Sequence, residues 1–166
     1  MTYLGAPPDV SGCDGASAPV LAPWQPWVAL AAASLPLHFA WEMLQAPLFE
    51  SMKGLSFAYA TSLCARATLG DLAVTAGCYG AVAVVRGTRA WLLSPSAGSI
   101  AAYLALGVAA TAALEVNAVY HAGRWSYAAT MPLFAGIGLA PLLQWLVVPL
   151  LALWVARRYL QHDRAR

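Results

Sequence analysis

Charge is scarce in this chain. Of its 166 residues only 10% are Asp, Glu, Lys or Arg, while 61% are apolar; a typical soluble domain carries roughly 25% charged residues. That shortage excludes an ordinary water-soluble fold. The nine basic and seven acidic residues form no basic face, which excludes nucleic acid as a partner. Cysteine is equally sparse. Cys13, Cys64 and Cys78 are too few and too scattered for a disulfide framework or a zinc knuckle. Val10-Ser11-Gly12-Cys13 has the look of a lipoprotein cleavage box, but neither a basic start nor an apolar core precedes it, so no signal peptide is expected. No internal repeat is evident, and the length leaves no room for a second, soluble domain beside one bundle.

Long apolar runs take up what remains. Four approach the roughly 20 residues that a membrane-spanning helix needs, at about 24–45, 68–85, 100–120 and 133–153. The expected fold is all-α, an integral membrane four-helix bundle over 24–158. Residues 1–23, rich in Gly, Pro, Ala and Ser, form a flexible tail, and 159–166 a basic one. Pro36 kinks the first span, and Pro141 and Pro149 interrupt the fourth. The connector 47–67 mixes Phe49, Phe57 and Tyr59 with Lys53 and Arg66, which is interfacial chemistry. An even number of spans puts both termini on one side, with Arg86, Arg89, Arg157, Arg158, Arg164 and Arg166; Lys53, Arg66 and Arg124 fall on the other. That bias predicts cytoplasmic termini, in a bacterial inner membrane.

Against this apolar background the stretch His38-Phe39-Ala40-Trp41-Glu42-Met43-Leu44-Gln45 stands out. Residues four and seven apart share a helix face, so His38, Glu42 and Gln45 form one stripe, which Ser34 extends and Trp41 flanks. A carboxylate in hydrocarbon costs about 2.5 kcal/mol or much more. The alternating direction of the spans brings others to the same level. Asp71 is early in the second span, with Thr75 and Cys78 on its face; Glu115 is late in the third, and His121 ends it. The three acids therefore gather within a few turns of one another, at about 1.5 Å per residue, around a polar pocket in the outer half of the bundle. Asn117, Tyr120, His121 and Arg124 make a second stripe, roughly opposite Glu115, that is expected to serve a helix neighbour.

Structural roles compete with functional ones at each position. Asp71 follows Gly70 near a helix start, where a carboxylate complements the dipole. Glu42 could pair with Arg66 or Lys53, and Glu115 could serve as a hydrogen-bonding group. His38 could be a satisfied core histidine, and Gln144 interhelical glue. Trp125, Tyr127 and Trp145 fit an aromatic belt as well as a pocket wall.

A buried layer of acids beside a histidine and aromatic rings suits proton transfer to a lipophilic substrate. One carboxyl gives a proton while an ionised neighbour and aromatic faces stabilise the cation. His38, Glu42, Asp71 and Glu115 are the candidate catalytic residues, with Glu42 the principal acid, oriented by His38 through their four-residue spacing. Trp41, Gln45, Thr75, Trp125, Tyr127 and Gln144 are candidate substrate contacts. This reading needs no cofactor and no metal. Its expected partners are membrane lipids and a lipophilic small molecule, with self-association left open. The alternative is a non-catalytic module: a lipid or cofactor carrier, or a subunit of a membrane complex, with a His/carboxylate metal site or a haem between His38 and His121.

The His38-x-x-x-Glu42 pair, an acid on the next helix (Asp71) and a Pro-broken last helix resemble the four-helix EXPERA superfamily over about residues 25–158. That group includes the emopamil-binding sterol isomerase and the sigma-2 receptor. The resemblance implies a His/Glu pair and a further acid shifting a double bond through a carbocation. Phe39-Ala40-Trp41-Glu42 is also similar to the Asn-Phe-Ala-Trp-Glu context of fungal membrane-bound terpene cyclases, with His38 in place of the Asn. Both resemblances imply acid-initiated chemistry on an isoprenoid.

Overall fold

The computed structural model describes residues 21–164. The lipoprotein-like box, Cys13, Arg166 and all but the last residues of the expected N-terminal tail lie outside that range. Four helices organise the rest: α1 (Gln25–Gln45), α2 (Phe57–Arg86), α3 (Ala97–Val116) and α4 (Leu139–Asp163). Each is long and apolar enough to cross a membrane. α1 packs mainly on α4 and α2, and α3 closes the square against the same two. Large apolar side chains such as Leu44, Leu69, Val84, Val85, Leu114 and Trp154 point outward and exposed, the inverse of a water-soluble bundle.

Local chemistry sets the helix ends. Ser56 caps α2 by accepting from the Tyr59 N–H at 3.4 Å, and Ser96 caps α3 by accepting from the Ser99 N–H at 3.1 Å. Gly87, left-handed at φ 65°, closes α2 right after Arg86. Pro36 and Pro149 lie inside α1 and α4. Pro141, however, falls in the first turn of α4, where no amide donor is needed.

Several boundaries differ from the sequence expectation. α2 begins at Phe57 rather than Thr68, so much of the supposed connector is helix, and Asp71 stands mid-helix, far from the N-terminal dipole. α4 begins at Leu139 rather than Leu133. The residues before it form a small antiparallel hairpin, β1 (Leu133–Phe134) and β2 (Ile137–Gly138). Its two-residue loop, Ala135 (φ 50°) and Gly136 (φ 82°), has the positive φ pair of a tight hairpin turn. At its other end α4 stays helical to Asp163, into the stretch read as a basic tail.

α3 does not end as a regular helix. Asn117–His121 form a π-helical turn. The second polar stripe serves no helix neighbour: Asn117, Tyr120, His121 and Arg124 are exposed, and the Tyr120 hydroxyl donates to the Gly136 carbonyl of the hairpin loop. Local widening of the helix resolves the conflict between two polar faces.

The two ends of the bundle are built differently. Around the end where α1 begins and α4 finishes, Tyr79 stacks on Trp91 (5.0 Å), Trp27 meets Tyr79 edge-on (5.0 Å), and Trp91 contacts Tyr103 (5.8 Å). At the opposite end the two connectors are strapped together. The Glu50 N–H donates to Ser126 O and the Ala128 N–H to Leu48 O, each at 2.9 Å, around an antiparallel bridge between Phe49 and Tyr127.

Candidate functional site

Polar residues of α1, α2 and α4 meet beneath that strap, in one run of hydrogen bonds with a consistent direction. The Trp41 indole N–H donates to Gln45 Oε1 (3.2 Å). The Gln45 amide donates to Glu42 Oε1 (2.7 Å) and to Gln144 Oε1 (3.2 Å). Gln144 in turn donates to Asp71 Oδ2 (2.9 Å) and to His38 Nδ1 (2.9 Å). With Nδ1 accepting, the ring proton sits on Nε2, which faces Thr75 Oγ1 at 3.4 Å. Each carboxamide spends both donors and its acceptor within the run, and Gln45 and Gln144 are buried. They hold the acids in place, and both N–H donors of each are taken up within the run. Thr75, also buried, belongs with them.

His38 is fully buried, with the Trp145 ring against it at 5.5 Å. It does not hold Glu42. Its Nδ1 lies 3.5 Å from Asp71 Oδ2, and Glu42 is held by Gln45 instead. A four-residue spacing permits the His–Glu contact, but the imidazole turns toward α2 and α4, where it meets two partners. Gln144, on the fourth helix, is the residue whose weight sequence reasoning underestimates. Three side chains from two helices converge on it, and nothing in a lone Gln within an apolar run announces that.

Glu115 forms a neighbouring centre. Its Oε2 accepts from the Tyr127 hydroxyl and from the Trp125 indole N–H (3.4 Å), both on the strapped connector. Burial, together with the Glu115 carboxylate beside it, pushes the Tyr127 phenol up, so it remains a donor throughout the neutral range. Glu42 and Glu115 both lie close enough to Asp71 for their charges to act on it. The structure thus brings together the four candidate catalytic residues, with Trp41, Trp125 and Tyr127 beside them.

The structural alternative for Glu42 fails on its partners. Lys53 pairs with Glu50 at 2.6 Å, Arg66 is exposed, and neither forms an ion pair with Glu42. Among the described residues no Lys or Arg pairs with Glu42, Asp71 or Glu115; every donor they receive is neutral. The metal and haem alternatives fare no better. Among the described residues no three His, Cys, Asp or Glu side chains could hold a metal ion. Both ring nitrogens of His38 face protein partners, and His121 is exposed.

Three carboxylates gathered in an apolar interior with no cation among them repel one another if all are charged. Such a cluster can hold a transferable proton and a residual negative charge together. Comparison with known protein families, curated proteins and solved structures finds no match to this chain.

Proposed function

We propose that this chain is an integral membrane protein, its termini cytoplasmic, that acts on an isoprenoid or sterol-like lipid by acid-initiated carbocation chemistry. The supporting observation is the set of three carboxylates, from three helices, within reach of one another's charge and supplied only with neutral donors. Protonated Glu42 adds its proton to one carbon of an alkene, whose π electrons form the new C–H bond and leave a cation on the next carbon. Carboxylate Asp71 then removes a proton from a neighbouring carbon, and that C–H pair becomes the new double bond. Glu115 and the rings of Trp41, Trp125 and Tyr127 stabilise the cation in between. No net proton is consumed, as an isomerisation or cyclisation requires. The spacing of His38, Glu42 and Asp71 that resembles the EXPERA superfamily suits this chemistry, with the imidazole turned to Asp71 rather than to Glu42.

Incubating the purified protein with its co-purifying lipids in D2O, followed by mass spectrometry, tests the reading. Wild type is expected to place deuterium on carbon in one lipid. Glu42→Gln should lower that rate by about 10²- to 10⁴-fold, the usual loss of a general acid. A co-purifying lipid that wild type never alters would instead mark a carrier, and full turnover by Glu42→Gln would remove Glu42 from its role.

A further inference from the structure

On the side of His38 away from Glu42, polar groups continue into the bundle without protein partners. Ser34 lies one helical turn from His38 on the same face of α1 and is fully buried. Tyr103 is also fully buried, and its hydroxyl lies toward Thr75 but outside hydrogen-bond geometry. Neither Ser34 Oγ nor the Tyr103 hydroxyl has a hydrogen-bond partner among the described residues. Buried hydroxyls are seldom left so, and internal water is what usually satisfies them. We propose that Ser34, Thr75 and Tyr103 bind internal water behind His38, and that this water and the imidazole form a relay through which Asp71 releases and regains one proton.

The geometry gives the relay its two ends. Nδ1 of His38 faces Asp71, and Nε2 faces Thr75. A protonated Asp71 passes its O–H proton to the Nδ1 lone pair and becomes a carboxylate. The Nε2 proton moves to Thr75 Oγ1 as the threonine's own hydroxyl proton moves on to water. His38 is left neutral, now carrying its proton on Nδ1 and aimed at the Asp71 anion, while Nε2 accepts from Thr75; the Gln144 amide must release Nδ1 in this tautomer and keeps its bond to Asp71 Oδ2. The return path reverses each transfer. One proton passes per tautomer, so the relay sets the charge of Asp71 before turnover and does not cycle it. Beyond Tyr103 lies the Trp91 ring, stacked in turn on Tyr79, whose hydroxyl donates to the Arg89 carbonyl just past the end of α2.

The groups around His38 admit this role. α2 presents Asp71 and Thr75, α4 presents the neutral Gln144 and Trp145, and α1 itself contributes Ser34 and Glu42; from α3, Glu115 acts on Asp71. Among the described residues no Lys or Arg forms an ion pair here.

The test uses the full chain in lipid nanodiscs and needs no substrate, so it fails or succeeds independently of the acid chemistry proposed above. A stopped-flow pH jump is followed in the infrared, on the carboxyl band that Asp71→Asn removes. Tyr103→Phe and Ser34→Ala should each slow that band about tenfold or more and Thr75→Val further, with Leu69→Ala, an outward-facing residue of α2, unchanged. In wild type, ¹⁵N spectra of His38 should show the proton moving from Nε2 to Nδ1 as Asp71 ionises. Where circular dichroism shows that Tyr103→Phe misfolds, Ser34→Ala and Thr75→Val carry the test. Wild-type rates in the folded variants, or a tautomer indifferent to Asp71, would overturn the relay.

Discussion

Replacing Gln144 with Met keeps the length of the side chain and removes its whole part in the network. Three hydrogen bonds go: those to Asp71 and His38, at 2.9 Å, and the one from Gln45, at 3.2 Å. Polar bonds between helices in lipid average about 0.6 kcal/mol, with maxima near 1.7. Three average bonds amount to about 2 kcal/mol, and three at the maximum to about 5. Gln144 is buried, so water has little access to the groups it abandons, although Asp71 keeps 19% of its side chain exposed and recovers part of the loss. Met restores apolar contact with its surroundings. The expected destabilisation is therefore near the lower figure, about 2 kcal/mol, or roughly 30-fold in the folding equilibrium. Unfolding in mixed micelles by titration with sodium dodecyl sulfate, read by circular dichroism, measures it. Gln45→Met completes a double-mutant cycle that isolates the Gln45–Gln144 bond. His38 adds a second readout: without the Gln144 donor, Nδ1 no longer has a fixed acceptor role, and the ¹⁵N spectrum should show both tautomers. A variant within a few tenths of a kcal/mol of wild type and still on a single tautomer would show that the network does not depend on Gln144.

Two further outcomes follow from the same coordinates. A Cβ at Gly107 would collide with Cε3 of the buried Trp145, so Gly107→Ala should cost about 1–3 kcal/mol by overpacking and shift the Trp145 emission; wild-type stability would mean that α3 and α4 separate freely. Because the folded state holds the Tyr127 phenol above its ordinary value, its contribution to stability is full below the unfolded phenol's pKa of about 10. It declines as pH climbs from there through the raised folded value. Tyr127→Phe should flatten that alkaline limb of the stability profile, and an unchanged limb would refute the assignment.

The four apolar runs and the common level of the three acids were legible in the residues alone, because helix direction alternates and depth along a helix is a matter of counting. The start of α2 was not. Thr61, Ser62 and Arg66 lower the hydropathy of its first turns, so the Ser56 cap, plain in hindsight, passed for connector. At α4 the error ran the other way: Leu133, Phe134 and Ile137 are apolar, yet the Ala135–Gly136 turn bends them into a hairpin. Partner choice within the site was beyond reach. Periodicity shows that His38 and Glu42 share a face, but the packing of α2 and α4 decides that the imidazole turns to Asp71 and Gln144. Tyr103 is the residue that sequence reasoning passed over, a single phenol in a helix of Ala, Gly and Leu, whose significance lies in what its hydroxyl fails to meet.

Tyr127 holds two posts. Its backbone is half of the bridge to Phe49, and its side chain serves the Glu115 carboxylate. Parting the connectors therefore strips the acid of a donor, and whatever neutralises the acid loosens the seam above it. By reciprocity, a guest that favours a bare Glu115 also favours an unfastened lid, and admission and charge become a single variable.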